Sequence, residues 1–305
     1  MDKRVFVLMA KDRKKIFSYQ VSGARTTSSI KSLNFFDGSY IEPKKPPIDI
    51  FQEKKISNLK LLGAFLISPE TEQYHQLATI GGHEWQQLAN LIVLGLVSSV
   101  ESYFRAIVRK LLIIDDHSKR HSYTSNLTYG AALHHKKELL PEALLESSSF
   151  TSSNNIVRTL QTYLDINLGG FSKIPSLHSA FTDYEIVCHL RHCIIHRAGL
   201  LGSNNALALG LDEYCTYLEK PISINLPTVQ EIALVCDILV KEINDKIFHE
   251  VLSRTVKELN WSGDLRQDKN IFKPYFDLFS PSIDNSPKNL NKCYSEFIQA
   301  HNIKA

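Results

Sequence analysis

The chain is constrained most by the run HEWQQLANLIVLGLVSSVESYFRAIVRKLLIIDD, His83–Asp116, which has no proline and a single glycine, Gly95. Leu96, Val100, Phe104, Ile107 and Leu111 recur at spacings of four, four, three and four, marking one face of an α-helix. Glu101 precedes Arg105 by one turn, the favourable order for an ion pair on a helix surface. A helix this long and this apolar must bury its face against other helices, which predicts a bundle. Its most apolar part, Leu88–Val100, is thirteen residues long. A bilayer span needs ~20, so the stretch reads as a buried core helix and no membrane is expected.

Further helical signals follow. AALHHKKELL reads as a short helix stopped by Pro141, and Ser147–Asn155 as a serine-rich loop. NIVRTLQTYLDI, Asn155–Ile166, reads as a helix ending at Gly169–Gly170. Thr182-Asp183-Tyr184-Glu185 and Thr228-Val229-Gln230-Glu231 have the form of capping boxes, each opening a helix. The second of these helices is expected to run to about Arg254. The tail beyond Trp261 holds Pro274, Pro281 and Pro287 and a final short helix near Asn289–Ala300.

Residues 1–74 differ. RVFVLMA and KIFSYQV are strand-like segments around the charged turn Lys11–Lys15, and IEPKKPP, Ile41–Pro47, excludes helix. The expected organisation is therefore an N-terminal extension over 1–74, read as a hairpin plus linker. An all-α domain follows over 75–258, then a helical C-terminal tail over 259–305. With 35 basic and 32 acidic residues the net charge is only +3, so any nucleic-acid contact must come from a local patch. The five cysteines form no C-x-x-C pair, which argues against a disulfide framework or a cysteine zinc site and suits a reduced, cytoplasmic protein.

The segment with most chemistry is LRHCIIHRAG, Leu190–Gly199. At about 100° per residue, His189, His192 and His196 share one helix face, while Arg191 projects about 140° away from His196. Gly199 is placed to end the helix in a left-handed turn. Arginine with histidine is enough to cut RNA without a metal. The ribose 2′-OH is the nucleophile, a histidine exchanges protons near neutral pH, and a guanidinium neutralises the phosphate. No carboxylate cluster suited to Mg²⁺ lies nearby.

The pattern R-x4-H, Arg191–His196, followed by Arg-Ala-Gly, resembles the signature of HEPN-domain ribonucleases. LVSSVESYFRAIVRKLL is similar to the first long helix of such domains, and the helix after Pro227 to their closing helix. The resemblance covers roughly residues 80–258. It implies an all-α HEPN-like bundle and a metal-independent endoribonuclease that needs no cofactor. Arg191 and His196 would be the catalytic pair, with His192 as a polar neighbour of the arginine in place of the usual asparagine. Glu101 would be a supporting acid. Arg197, read from its place at the helix end, is either a second contact to the RNA phosphate or a basic charge that favours the C-terminal end of the helix dipole. The resemblance also implies a homodimer with two motifs facing across one cleft, and a toxin or antiviral-defence role with an antitoxin or defence-system partner.

Two other readings stand beside this one. A non-catalytic HEPN-like module would bind nucleotide, RNA or a protein. Alternatively, His189, His192 and His196 at spacings of three and four would be zinc ligands. His134–His135 reads as a solvated corner, and Cys188 and Cys193 as small apolar packers.

Overall fold

The computed structural model describes residues 22, 29–30, 32–66, 82–168 and 173–303. Eleven α-helices lie among them: α1 Pro47–Leu66, α2 His83–Ile114, α3 Asp116–His121, α4 Tyr129–His134, α5 Leu140–Leu144, α6 Ser153–Leu164, α7 Pro175–His196, α8 Ser203–Tyr214, α9 Leu226–Glu258, α10 Leu265–Phe279 and α11 Pro287–Ala300. The fold is all-α. No strand occurs among the described residues, and Leu200 and Pro221 form one isolated antiparallel bridge.

The helix α2 is the axis of the bundle. Ala89, Ile92, Val93, Leu96, Val97, Val100, Phe104, Ile107 and Leu111 along it are all at most 1% exposed. It is long and apolar enough to cross a membrane by length and composition; here that apolar face forms the core. α1 and α9 pack on α2, and α7 packs on α9. Gly95 permits the α1 contact, because a Cβ there would collide with the side-chain amide of Asn58. Near its N-terminus α2 is tied to the chain entering α9. Trp85 Nε1 donates to the Ile224 carbonyl at 2.7 Å, and the Ile224 N–H donates to Gln86 Oε1 at 3.0 Å.

Several boundaries differ from the sequence reading. The Thr182–Glu185 box lies inside α7, which starts seven residues earlier at Pro175. Thr182 Oγ1 donates to the His178 carbonyl at 2.9 Å, and Glu185 accepts the Ser153 N–H at 2.7 Å, so both serve other helix turns. α9 is capped by Asn225, whose side chain accepts the Thr228 N–H at 2.9 Å, so the second box is displaced by three residues. Pro141 stands in the first turn of α5 and ends nothing, because a first-turn proline loses no helical hydrogen bond. Glu101 and Arg105 do not pair. Arg105 donates to the Leu145 and Ser148 carbonyls at 2.9 Å each and to Glu142 at 3.3 Å, fixing the loop before α6.

The chain divides between Pro43 and Lys44, not at residue 74. α1 belongs with the larger unit through its packing on α2, and Pro47 opens it. The expected hairpin over residues 4–21 lies outside the described residues. The C-terminal segment is integral to the same unit. Phe272, Tyr275, Phe276, Phe279, Tyr294 and Phe297 of α10 and α11 are buried core residues. Pro274 sits within α10.

Candidate active site

The motif occupies the last two turns of α7. His192 and His196 stack one turn apart with ring centroids 4.7 Å apart and planes at 47°, both exposed. Neither ring has a hydrogen-bond partner among the described residues. Partial desolvation, then the positive charges of His196, Arg191 and His189, hold His192 below the ordinary histidine value of 6.5. Its imidazole is therefore neutral at neutral pH.

Arg191 is half-buried and makes no hydrogen bond or ion pair with any described residue. It follows Tyr184 and Cys188 around the core side of α7, yet its charge acts on both His192 and Cys188. Burial pushes the Cys188 thiol far up, which leaves it an inert packing group.

His189 does not join the pair. Its Nδ1 lies 3.2 Å from Oδ1 of Asn205, a residue 5% exposed on α8, and Asn205 Nδ2 donates to Cys193 Sγ at 2.9 Å. One buried amide thus fastens α8 to α7 and draws the third imidazole away. Among the described residues no group of three or more His, Cys, Asp or Glu side chains converges as metal ligands. The three-histidine zinc arrangement is not assembled.

Arg197 is the C-cap of α7 and pairs with Glu219 at 2.5 Å, its guanidinium lying over Gly202. Ala198 and Gly199 follow with φ of +51° and +83°, turning the chain so that the N–H groups of Arg197 and Gly199 both reach the Cys193 carbonyl at 3.0 Å. A Cβ on Gly199 would come within 3.8 Å of Asn90 Nδ2, so the motif's end lies against the first turns of α2. Glu101 is not brought to the motif. It accepts the Phe150 N–H at 3.3 Å, beside Tyr184 and two turns back along α7.

The structure therefore brings His192 and His196 together, leaves Arg191 within electrostatic reach of His192 but on another side of α7, and commits Arg197 and Glu101 elsewhere. Sequence reasoning missed Asn205, since a lone asparagine in a polar stretch carries no local signal of the two α7 side chains it holds. His134 and His135 bracket the end of α4, far from the motif in the chain. No protein-family model matches the chain, and no solved structure matches it.

Proposed function

We propose that the chain is a metal-independent endoribonuclease of the HEPN type, acting as a homodimer. The observation that carries this reading is the pair His192–His196, stacked, exposed and unpartnered beside an unpaired Arg191. Side chains that can donate and accept protons, and that the fold leaves unused, are available to a substrate.

The ribose 2′-OH attacks the adjacent phosphorus. His192, neutral because its value is lowered, accepts the 2′ proton. His196 gives a proton to the departing 5′ oxygen, and Arg191 balances charge on the pentacoordinate phosphate. The products are a 2′,3′-cyclic phosphate and a 5′-OH end. A two-fold dimer supports the chemistry because an isologous contact brings the same patch from both copies together. Ile195, 45% exposed beside His196, supplies apolar surface at that place. A defence or toxin role follows from the resemblance alone.

A second reading, a helical module that binds RNA without cutting it, is favoured by one feature: Arg191 leaves α7 about 140° from His196. The two readings separate in one experiment. Structured RNA is incubated in EDTA with the parent chain, Arg191→Ala and His196→Ala, and the ends are identified. The ribonuclease yields cyclic phosphate ends that neither variant produces, and spares RNA carrying a 2′-O-methyl at the scissile position. RNA retained intact by the parent chain, with weaker retention by Arg191→Ala, establishes the binding module instead.

A further inference from the structure

His189 is the imidazole that the pair leaves out, and its surroundings give it a defined chemical form. Asn205, 5% exposed in the first turn of α8, uses both ends of its amide on α7. Its Nδ2 donates to Cys193 Sγ at 2.9 Å, so Oδ1 is the atom that faces His189 Nδ1 at 3.2 Å. An amide oxygen only accepts, so this contact is a hydrogen bond only when Nδ1 carries the proton. Neutral His189 is thereby held with its proton on Nδ1 and a lone pair on Nε2. Nε2 has no partner among the described residues and is not a buried atom. A half-buried ring thus presents one open proton acceptor, and the buried amide behind it fixes which nitrogen that is.

That acceptor stands in line with the pair. His189, His192 and His196 follow at spacings of three and four along one face of α7. At 1.5 Å per residue, His189 precedes His192 by about 4.5 Å along the axis and His196 by about 10.5 Å. Its charge reaches His192. A strand lying along α7 with its scissile phosphate at His192 and His196 carries a neighbouring nucleotide to His189. The sugar–phosphate backbone of RNA offers acceptors on its phosphates and one donor per nucleotide, the 2′-OH. A lone pair at this place complements that donor and no other group of the backbone.

We infer that His189, oriented by Asn205 as a positioning residue, is a specificity subsite that accepts a hydrogen bond from the 2′-OH of the nucleotide next to the scissile one. The inference rests on the ribonuclease reading above. The full chain, His189→Ala and Asn205→Leu are timed in EDTA on an all-ribose oligonucleotide. Two further strands carry a single 2′-deoxy replacement on the 5′ or the 3′ side of the scissile nucleotide, whose own 2′-OH is kept. The parent chain is expected to cut one of the deoxy strands at least about fivefold more slowly than the all-ribose strand. In both variants that ratio falls to about one. A ratio taken within each variant is untouched by a general loss of activity or of folded protein, so a merely structural amide would leave it unchanged. The nitrogen chemical shifts of neutral His189 should show the proton on Nδ1 in the parent chain and both tautomers in Asn205→Leu. Equal rates on the three strands by the parent chain, with cyclic phosphate ends, overturn the subsite and leave the ribonuclease reading standing. A preference that survives in His189→Ala, or a neutral ring protonated only at Nε2, overturns it equally. A preference lost in His189→Ala but kept in Asn205→Leu removes Asn205 from the positioning role. Absence of cyclic phosphate ends from the all-ribose strand overturns the ribonuclease reading and the subsite with it.

Discussion

Arg254 and Arg191 stand on helices packed against each other, and the fold treats them in opposite ways. Arg254 on α9 bonds to Asp115, to Ser118 Oγ at 2.6 Å and to the Leu164 carbonyl, joining α2, α3 and α6. Asp115 also accepts the Ser118 N–H at 2.8 Å and the Tyr275 hydroxyl at 3.1 Å, which brings in α10. Burial, then the Asp115 charge, drives the Tyr275 phenol well above its ordinary value, so it stays a donor at any working pH. Arg191 on α7 has none of this. A buried charge survives only with partners. The pair therefore distinguishes an arginine that holds the fold from one that the fold leaves to a ligand.

That distinction breaks if the two regions respond alike to truncation. Arg254→Leu strands the Asp115 carboxylate, which is 2% exposed on its side chain, without a counter-charge. The expected loss is about 3–5 kcal/mol of stability, read as a lower denaturation midpoint at constant slope. His196→Ala removes an exposed group with no partner and is expected to change stability by no more than about 0.5 kcal/mol. Its effect falls on cleavage, with a loss of about 10²–10⁴-fold in rate from the acid/base role. A variant of His196 that unfolds, or one of Arg254 that does not, makes the contrast meaningless.

Acid sharpens the same comparison, because the two kinds of group titrate in separate windows. Desolvation raises the Asp237 carboxyl, but hydrogen bonds from Lys241, Lys55 and Gln52 outweigh it and hold the group below its ordinary 3.8. The stabilisation is complete above 3.8 and disappears as the pH falls through the lower folded value. His192 is depressed below 6.5, so the unfolded chain binds its proton first. The folded state pays nothing above 6.5 and loses a little stability as the pH drops below it. Unfolding free energy followed from pH 8 downward should decline slightly at first and steeply only below about pH 4. His192→Gln should flatten the upper segment alone. The acid limb of the cleavage profile should likewise lie below 6.5. A limb above it would remove His192 from the base role.

Legibility in the sequence followed the range of the interaction. α2 and α9 could be read because their patterns are continuous and free of interior proline, and α2 begins at His83 as the periodicity indicated. The His192–His196 stack could be read because one turn of helix fixes it. Helix starts were harder. Thr182-x-x-Glu185 has the letters of a capping box, but Thr182 is already helical and its hydroxyl turns back to His178. Prolines misled wherever they were taken as stops. Pro47 and Pro141 open helices, and α10 runs through Pro274 with Phe272, Tyr275, Phe276 and Phe279 buried on the core. The pairings Arg197–Glu219 and Glu101–Phe150 depend on chain segments that meet only after folding. No local pattern announces them.

The finest version of the comparison lies in two helix ends. Asp165 ends α6 at φ +54°, next to the Leu164 carbonyl that Arg254 grips, and Ala198 follows the end of α7 at φ +51°, next to the histidines. Both are non-glycine residues in the left-handed region, where a Cβ costs roughly 1–2 kcal/mol. Asp165 offsets that cost. Its carboxylate accepts from Gln161 Nε2 at 3.1 Å and meets His117 Nε2 at 3.1 Å, and the His117 hydrogen bond, opposed by desolvation, keeps it below its ordinary value. Ala198 has no side chain with which to do so and is exposed. Glycine at 198 would relieve the Cβ clash and give back part of the gain as unfolded-chain entropy, about 0.5–1 kcal/mol. Ala198→Gly should therefore stabilise the chain by about 0.5–1 kcal/mol, and Asp165→Gly should not, because it also deletes both side-chain contacts. Denaturant midpoints for the two variants measure this directly. Equal gains would mean that the His117–Asp165–Gln161 contacts contribute nothing. A loss at Ala198 would mean that the turn closing the histidine end of α7 is built otherwise than by positive φ at this residue.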